Sequence, residues 1–119
     1  MKALVYRDYA PDDNFKNILA VEDIPNPEPK PNEVLIQVKA SALNYNDVWG
    51  MRGIPIPVEL PHISGSDAAG DVLAVGSDVT SIKVGDRVAV HANMSCRVCD
   101  ACTSGREYDC SKRMVWGFQ

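Results

Sequence analysis

All four cysteines of this chain fall within fifteen residues, as Cys96-Arg-Val-Cys99-Asp-Ala-Cys102 and then Cys110 after seven more. This C-x2-C-x2-C-x7-C spacing constrains the fold more than any other feature, because it dictates which segments must meet. Cysteines three apart can turn their sulfurs toward one point, and the longer gap lets a loop return the fourth. Four thiolates at about 2.3 Å from one ion close a tetrahedral shell with no open position, the form of a structural zinc site. Their softness favours zinc or an iron–sulfur cluster over magnesium or calcium. The expected ligands are Cys96, Cys99, Cys102 and Cys110, holding one zinc per chain in a lobe over about residues 92–113. Two disulfides or buried free thiols are the other readings, and the paired C-x2-C spacing in a reducing compartment argues against both. Zinc bound by four thiolates takes the formal net charge of -4 to -6, so Arg97, Arg106, Lys112 and Arg113 are expected to favour the thiolate forms. Such a site is evidence for a structural metal and none for a catalytic one.

The compartment follows from the rest of the chain. Lys2, Arg7 and Asp8 interrupt any apolar signal sequence at the start, and no apolar run approaches the roughly 20 residues of a membrane span. A cytoplasmic location is expected. The 12 Lys and Arg are scattered among 16 Asp and Glu, without the basic stripe that nucleic acid or an anionic membrane requires. Neither is an expected partner.

The pattern of short apolar runs points to strands. Residues 2–7 and 17–24 are strand-like, with a turn between them in Tyr9-Ala-Pro-Asp-Asp-Asn14. Four prolines between Pro25 and Pro31 make that stretch an extended surface connection. Residues 33–43 form the strongest strand, with Val34, Ile36, Val38 and Ala40 on one face and Gln37 and Lys39 on the other. One short helical turn follows, capped by Asn44 and broken by Gly50 and Gly53. Residues 71–76 and 86–91 are two more strands. The expected fold is mainly β, an irregular and partly open barrel with short helices and the cysteine lobe.

Two further segments combine with the lobe. They are Gly65-Ser66-Asp67-Ala68-Ala69-Gly70 running on to Val75-Gly76, and Val84-Gly85-Asp86-Arg87-Val88, which leads to the cysteines. The whole run resembles the N-terminal GroES-like domain of the medium-chain dehydrogenase/reductase superfamily, and the resemblance covers residues 1–119. In that family, alcohol dehydrogenases carry a second, catalytic zinc on a Cys and a His. By that resemblance Asn44 stands at the Cys position and Ser66 at the His position. An amide and a hydroxyl are poor zinc ligands, so zinc-polarised alcohol oxidation is not expected.

What the resemblance leaves is reduction of an activated C=C bond with NADPH. Quinone and enone reductases have a similar Asn-Tyr/Phe-x-Asp segment. The crotonyl-CoA carboxylase/reductase group is closer, through Asn44-Tyr45-Asn46-Asp47-Val48-Trp49, Leu60 to Asp67, and Trp116-Gly117-Phe118-Gln119. Gln119 stands where that group has a Glu, which favours simple reduction of an enoyl-CoA over reductive carboxylation. Charge then builds on the thioester oxygen and needs hydrogen-bond donors. Asn44 and Tyr45 are the candidate catalytic donors, with Asn46 a weaker alternative to Asn44. Asn44 serves equally well as a helix cap and Tyr45 as a core aromatic. Trp49, Phe118 and Gln119 are candidates to line an acyl pocket, though packing in the core is the commoner use of Trp49 and Phe118. His62 and His91 are expected to be structural, and Asp67 to make an internal hydrogen bond.

The family's nicotinamide cofactor sits on a Rossmann domain with a G-x-G-x-x-G turn. The eight glycines here make no such pattern, and 119 residues leave no room for a second domain of that kind. The chain therefore reads as the substrate-side domain of a longer, homo-oligomeric enzyme whose other part holds NADPH. A zinc-stabilised binding module without catalysis is the alternative of another class, and a quinone reductase or an alcohol dehydrogenase domain are the alternatives within this one.

Overall fold

A computed structural model describes residues 1–55 and 57–118. Strand β1 (Lys2–Tyr6) pairs antiparallel with β2 (Leu19–Asp23), from Lys2 opposite Asp23 to Tyr6 opposite Leu19. Lys2 Nζ lies 3.0 Å from Asp23, its partner in the register, and Arg7, just past the end of β1, grips both oxygens of Glu22. The short β4 (His62–Ile63) joins the other edge of β1, giving the order β2-β1-β4. A second sheet has the order β3-β5-β6, from β3 (Val34–Ala40), β5 (Ala69–Val75) and β6 (Arg87–Ala89). A hairpin of β7 (Asn93–Met94) and β8 (Met114–Val115) closes the base of the cysteine lobe. The architecture is mainly β, with open sheets that do not close into a barrel.

Helix α1 (Tyr45–Arg52) follows β3 directly. It runs two turns where one was expected, because Gly50 does not break it. Tyr6 explains the glycine: a Cβ at Gly50 would meet the Tyr6 hydroxyl at 2.8 Å. The helix ends instead at Gly53, whose φ of 72° is the left-handed C-cap conformation that glycine adopts without a steric penalty.

The expected alternation along β3 holds only in part. Val34 and Ile36 are half-buried, but Val38 is 54% exposed and Ala40 is exposed as well. Register shifts against β5 at Leu35/Ile36 and Val38/Ala40 turn the strand, so its last residues lose the inward face that strict period-two pairing would have kept. The core centres on Tyr6, Met51 and Val58, with Tyr9, Phe15, Ile18, Leu19, Leu60 and Phe118 packed around them.

Candidate functional site

Two constellations carry chemistry, and the simpler one is the lobe. Cys99 caps the N-terminus of α2 (Asp100–Thr103), a single turn that brings the buried Cys102 back over it. A 3-10 turn at Glu107–Asp109 then delivers Cys110, also buried. The four sulfurs all lie within 4.8 Å of one another. Cys99 Sγ is 3.5 Å from Cys102 Sγ, and Cys96 Sγ is 3.9 Å from it. Bonded disulfides have sulfurs about 2.05 Å apart, so these are free thiols. A tetrahedral shell with bonds of about 2.3 Å sets its sulfurs about 3.8 Å apart. The donor set fits a zinc ion.

The thiols are unequal. Hydrogen bonds with the backbone at Val98 and Cys99 pull Cys96 down to about 6, whereas burial pushes Cys102 up to about 11. The backbone favours the Cys96 thiolate. Of the basic residues of the lobe, Arg106 faces Asp109 at 3.9 Å and Arg113 donates to the Tyr108 carbonyl at 2.6 Å. A dication among these sulfurs would supply the charge that a buried Cys102 thiolate needs.

The second constellation lies where β3 runs into α1. Asn44 is the N-cap residue, in extended conformation, and forms a capping box with Asp47. Its backbone N–H donates to Asp47 Oδ2 at 2.8 Å, and Ser64 Oγ donates to Asp47 Oδ1 at 2.7 Å. The Asn44 amide donates to Asp67 Oδ2 at 2.7 Å, while Ser41 Oγ donates to the Asp67 carbonyl at 2.9 Å. Residues 41–47 and the loop 64–67 are thus laced together. Asp47 is only 7% exposed, so both carboxylate oxygens need these donors.

Asn44 therefore caps the helix and also presents its amide to a carboxylate. Tyr45 is 60% exposed, which excludes a place in the core. Trp49 is 40% exposed and meets the Tyr45 ring edge-on at 5.5 Å, so it too stands outside the core. Arg52, gripped by both oxygens of Asp13, lies 5.9 Å over the Tyr45 ring and donates to its hydroxyl at 3.4 Å. Phe118 does pack against the core, beside Gly50. Asn46 is half-buried in the first turn of α1, and Gln119 lies outside the described residues.

His62 Nε2 is 2.9 Å from the Gly117 carbonyl, and His91 Nδ1 is 2.9 Å from the Asn93 carbonyl. Among the described residues, the four cysteines form the metal-capable cluster, and neither histidine joins it. Sequence reasoning passed over Asp47, Ser64, Ser41 and the Asp13–Arg52 pair. Of these, only Asp47 had a readable signal, its capping-box spacing from Asn44.

Residues 30–118 match the family described as alcohol dehydrogenase GroES-like domain. The chain belongs to this family. This GroES-like domain is similar to an L-arabinitol 4-dehydrogenase of Aspergillus oryzae, 45% identical over 86 residues, which are 70% of this chain and 22% of that protein. Its fold matches an NAD-dependent alcohol dehydrogenase with a TM-score of 0.87 at 39% identity, covering 98% of this chain and 33% of that one. It also matches a crotonyl-CoA carboxylase/reductase with a TM-score of 0.83 at 34% identity, covering 99% of this chain and 28% of that one. The chain spans a third or less of the length of these relatives.

Proposed function

We propose that this GroES-like domain forms the substrate side of a cytoplasmic, NADPH-dependent reductase that saturates the C=C bond of a short enoyl-CoA, of the crotonyl or acryloyl type. One zinc held by Cys96, Cys99, Cys102 and Cys110 stabilises the lobe and takes no part in the reaction. The observation that carries this reading is the 2.7 Å hydrogen bond from Asn44 to Asp67. An open, three-ligand site for a Lewis acid would need strong ligands there, and an amide bound to a carboxylate is not such a set. The likeness to a crotonyl-CoA carboxylase/reductase supports the thioester, and the likeness to alcohol dehydrogenases favours the second reading, oxidation of an alcohol.

Among the described residues the sheets are built from antiparallel pairs and no strand passes through a glycine-rich turn into a helix, which supports assigning the nicotinamide cofactor to another part of a longer protein. This chain's own contribution is to the substrate. The Asn44 amide has a second N–H beyond the one given to Asp67, and the exposed Tyr45 hydroxyl can donate its proton. Both can meet a thioester oxygen as negative charge grows on it. Trp49 and Tyr45 offer an apolar wall beside those donors, and Phe118 supports the helix from beneath.

The test is an assay of the full-length gene product with NADPH against crotonyl-CoA, acryloyl-CoA and a quinone, and with NAD and a simple alcohol. Turnover of the enoyl-CoA substrates is expected, with Asn44→Ala and Tyr45→Phe each lowering kcat by about 10- to 1,000-fold. Turnover confined to the alcohol or to the quinone would refute the thioester reading.

A further inference from the structure

The segment that leaves the lobe does not simply return to the sheet. After β8, Trp116 N–H donates to the Ala92 carbonyl at 2.8 Å, and Phe118 N–H donates to the Val115 carbonyl at 3.0 Å. Gly117 then lies flat on the loop after β4. A Cβ placed on it would fall 1.8 Å from the Gly65 oxygen and 3.4 Å from the Ser66 nitrogen. Its carbonyl accepts from His62 Nε2 at 2.9 Å, and because a carbonyl only accepts, Nε2 carries the hydrogen. Phe118 packs beside Gly50 of α1. Residues 116–118 thus touch both segments that hold Asn44: the loop 64–67 and the helix it caps.

The other end of this strap is anchored by the cysteines. Cys110 precedes Met114 by four residues, and Arg113 N–H donates to the Cys110 carbonyl at 3.1 Å. Cys96 N–H meets Cys110 Sγ at 3.5 Å, so the two chain ends of the lobe close at the hairpin.

We infer that residues 116–118 are a positioning strap: Gly117, latched by His62, presses on Gly65 and sets the loop 64–67, and through Asp67 and Asp47 the Asn44 amide, in register with the metal lobe. Gly117 is required because its φ of 80° and its backbone-to-backbone seat both exclude a side chain. The inference concerns geometry and stands apart from the substrate assigned above; only the use made of Asn44 rests on that reading.

The test reads the site without substrate, by 1H–15N correlation and hydrogen exchange on the zinc-loaded protein. Chelation of the metal should shift the Asn44 side-chain amide and the Ser64 to Asp67 signals, and should speed exchange of the Asn44 backbone N–H by about tenfold or more. His62→Leu should reproduce those changes with zinc retained and the lobe signals in place, while His62→Gln, which keeps a donor, should restore most of the wild-type pattern. Gly117→Ala is the harsher variant and should act in the same direction if it folds. Should chelation and His62→Leu leave Asn44 and the loop 64–67 unmoved, the strap is refuted. A protein that binds no zinc would overturn its anchoring in the lobe.

Discussion

Tyr6 shows what one buried hydroxyl does to the molecule around it. Its side chain is fully buried, and its hydroxyl has no hydrogen-bond partner among the described residues. Burial first, then the neighbouring Tyr9 and Asp47, push its pKa up from 10.0 to about 12. A raised folded-state value means that the stability tied to the neutral phenol is fully present below pH 10 and is lost as pH climbs through about 12. Tyr6→Phe should therefore flatten the alkaline limb of a stability-against-pH curve between those limits. At neutral pH it should cost nothing, because the hydroxyl gives up no bond and a buried unsatisfied group carries a penalty of about 1–3 kcal/mol. Urea titration at pH 7 and at stepped alkaline pH measures both, and an unchanged alkaline limb would show that Tyr6 is not the group responsible.

Helix α1 joins that residue to the site. A glycine inside a helix is about 1 kcal/mol worse than alanine, so Gly50→Ala in isolation should stabilise α1. Here the added methyl meets the Tyr6 hydroxyl at 2.8 Å, and we expect destabilisation by about 1–3 kcal/mol. The double variant Tyr6→Phe/Gly50→Ala should recover most of the loss, because the remaining neighbour, Phe118, stands at 3.6 Å, an ordinary contact. A double-mutant cycle by chemical denaturation checks it, and strictly additive effects would contradict the clash. The helix also marks the reach of pattern reading. Asn44 as cap and Gly53 as terminator were legible, since both act through local backbone chemistry. Gly50 as a seat for Tyr6 was not, because its reason lies 44 residues away in β1.

As a whole the molecule is more open than its mass requires. It exposes 8510 Å², against about 6,300 Å² for a compact monomer of 13.0 kDa, and its radius of gyration is 15.8 Å against about 13.5 Å. Among the described residues, Tyr6 and Val72 are the large side chains buried to below 2% exposure, while Leu43 is 93% exposed and Val21 68%. With a core this small, a metal held by the four cysteines would carry much of the lobe's stability. Metal analysis should find close to one zinc per chain, and Cys102→Ser or a strong chelator should lower Tm by several degrees through lost metal-coupled folding energy. An unchanged, metal-free Tm would dismiss the structural zinc. By itself the sequence determined the four-cysteine cluster, the strand-rich class and the absence of strong zinc ligands at Asn44 and Ser66. Cysteine spacing, turn residues and ligand chemistry are local properties, readable wherever the chain runs. Only the tertiary structure decided that Asn44 gives its amide to Asp67, that Tyr45 and Trp49 stand outside the core, and that Gly117 lies on Gly65. Those outcomes depend on which distant segments meet and on the space between them, and no pattern along the chain encodes that distance.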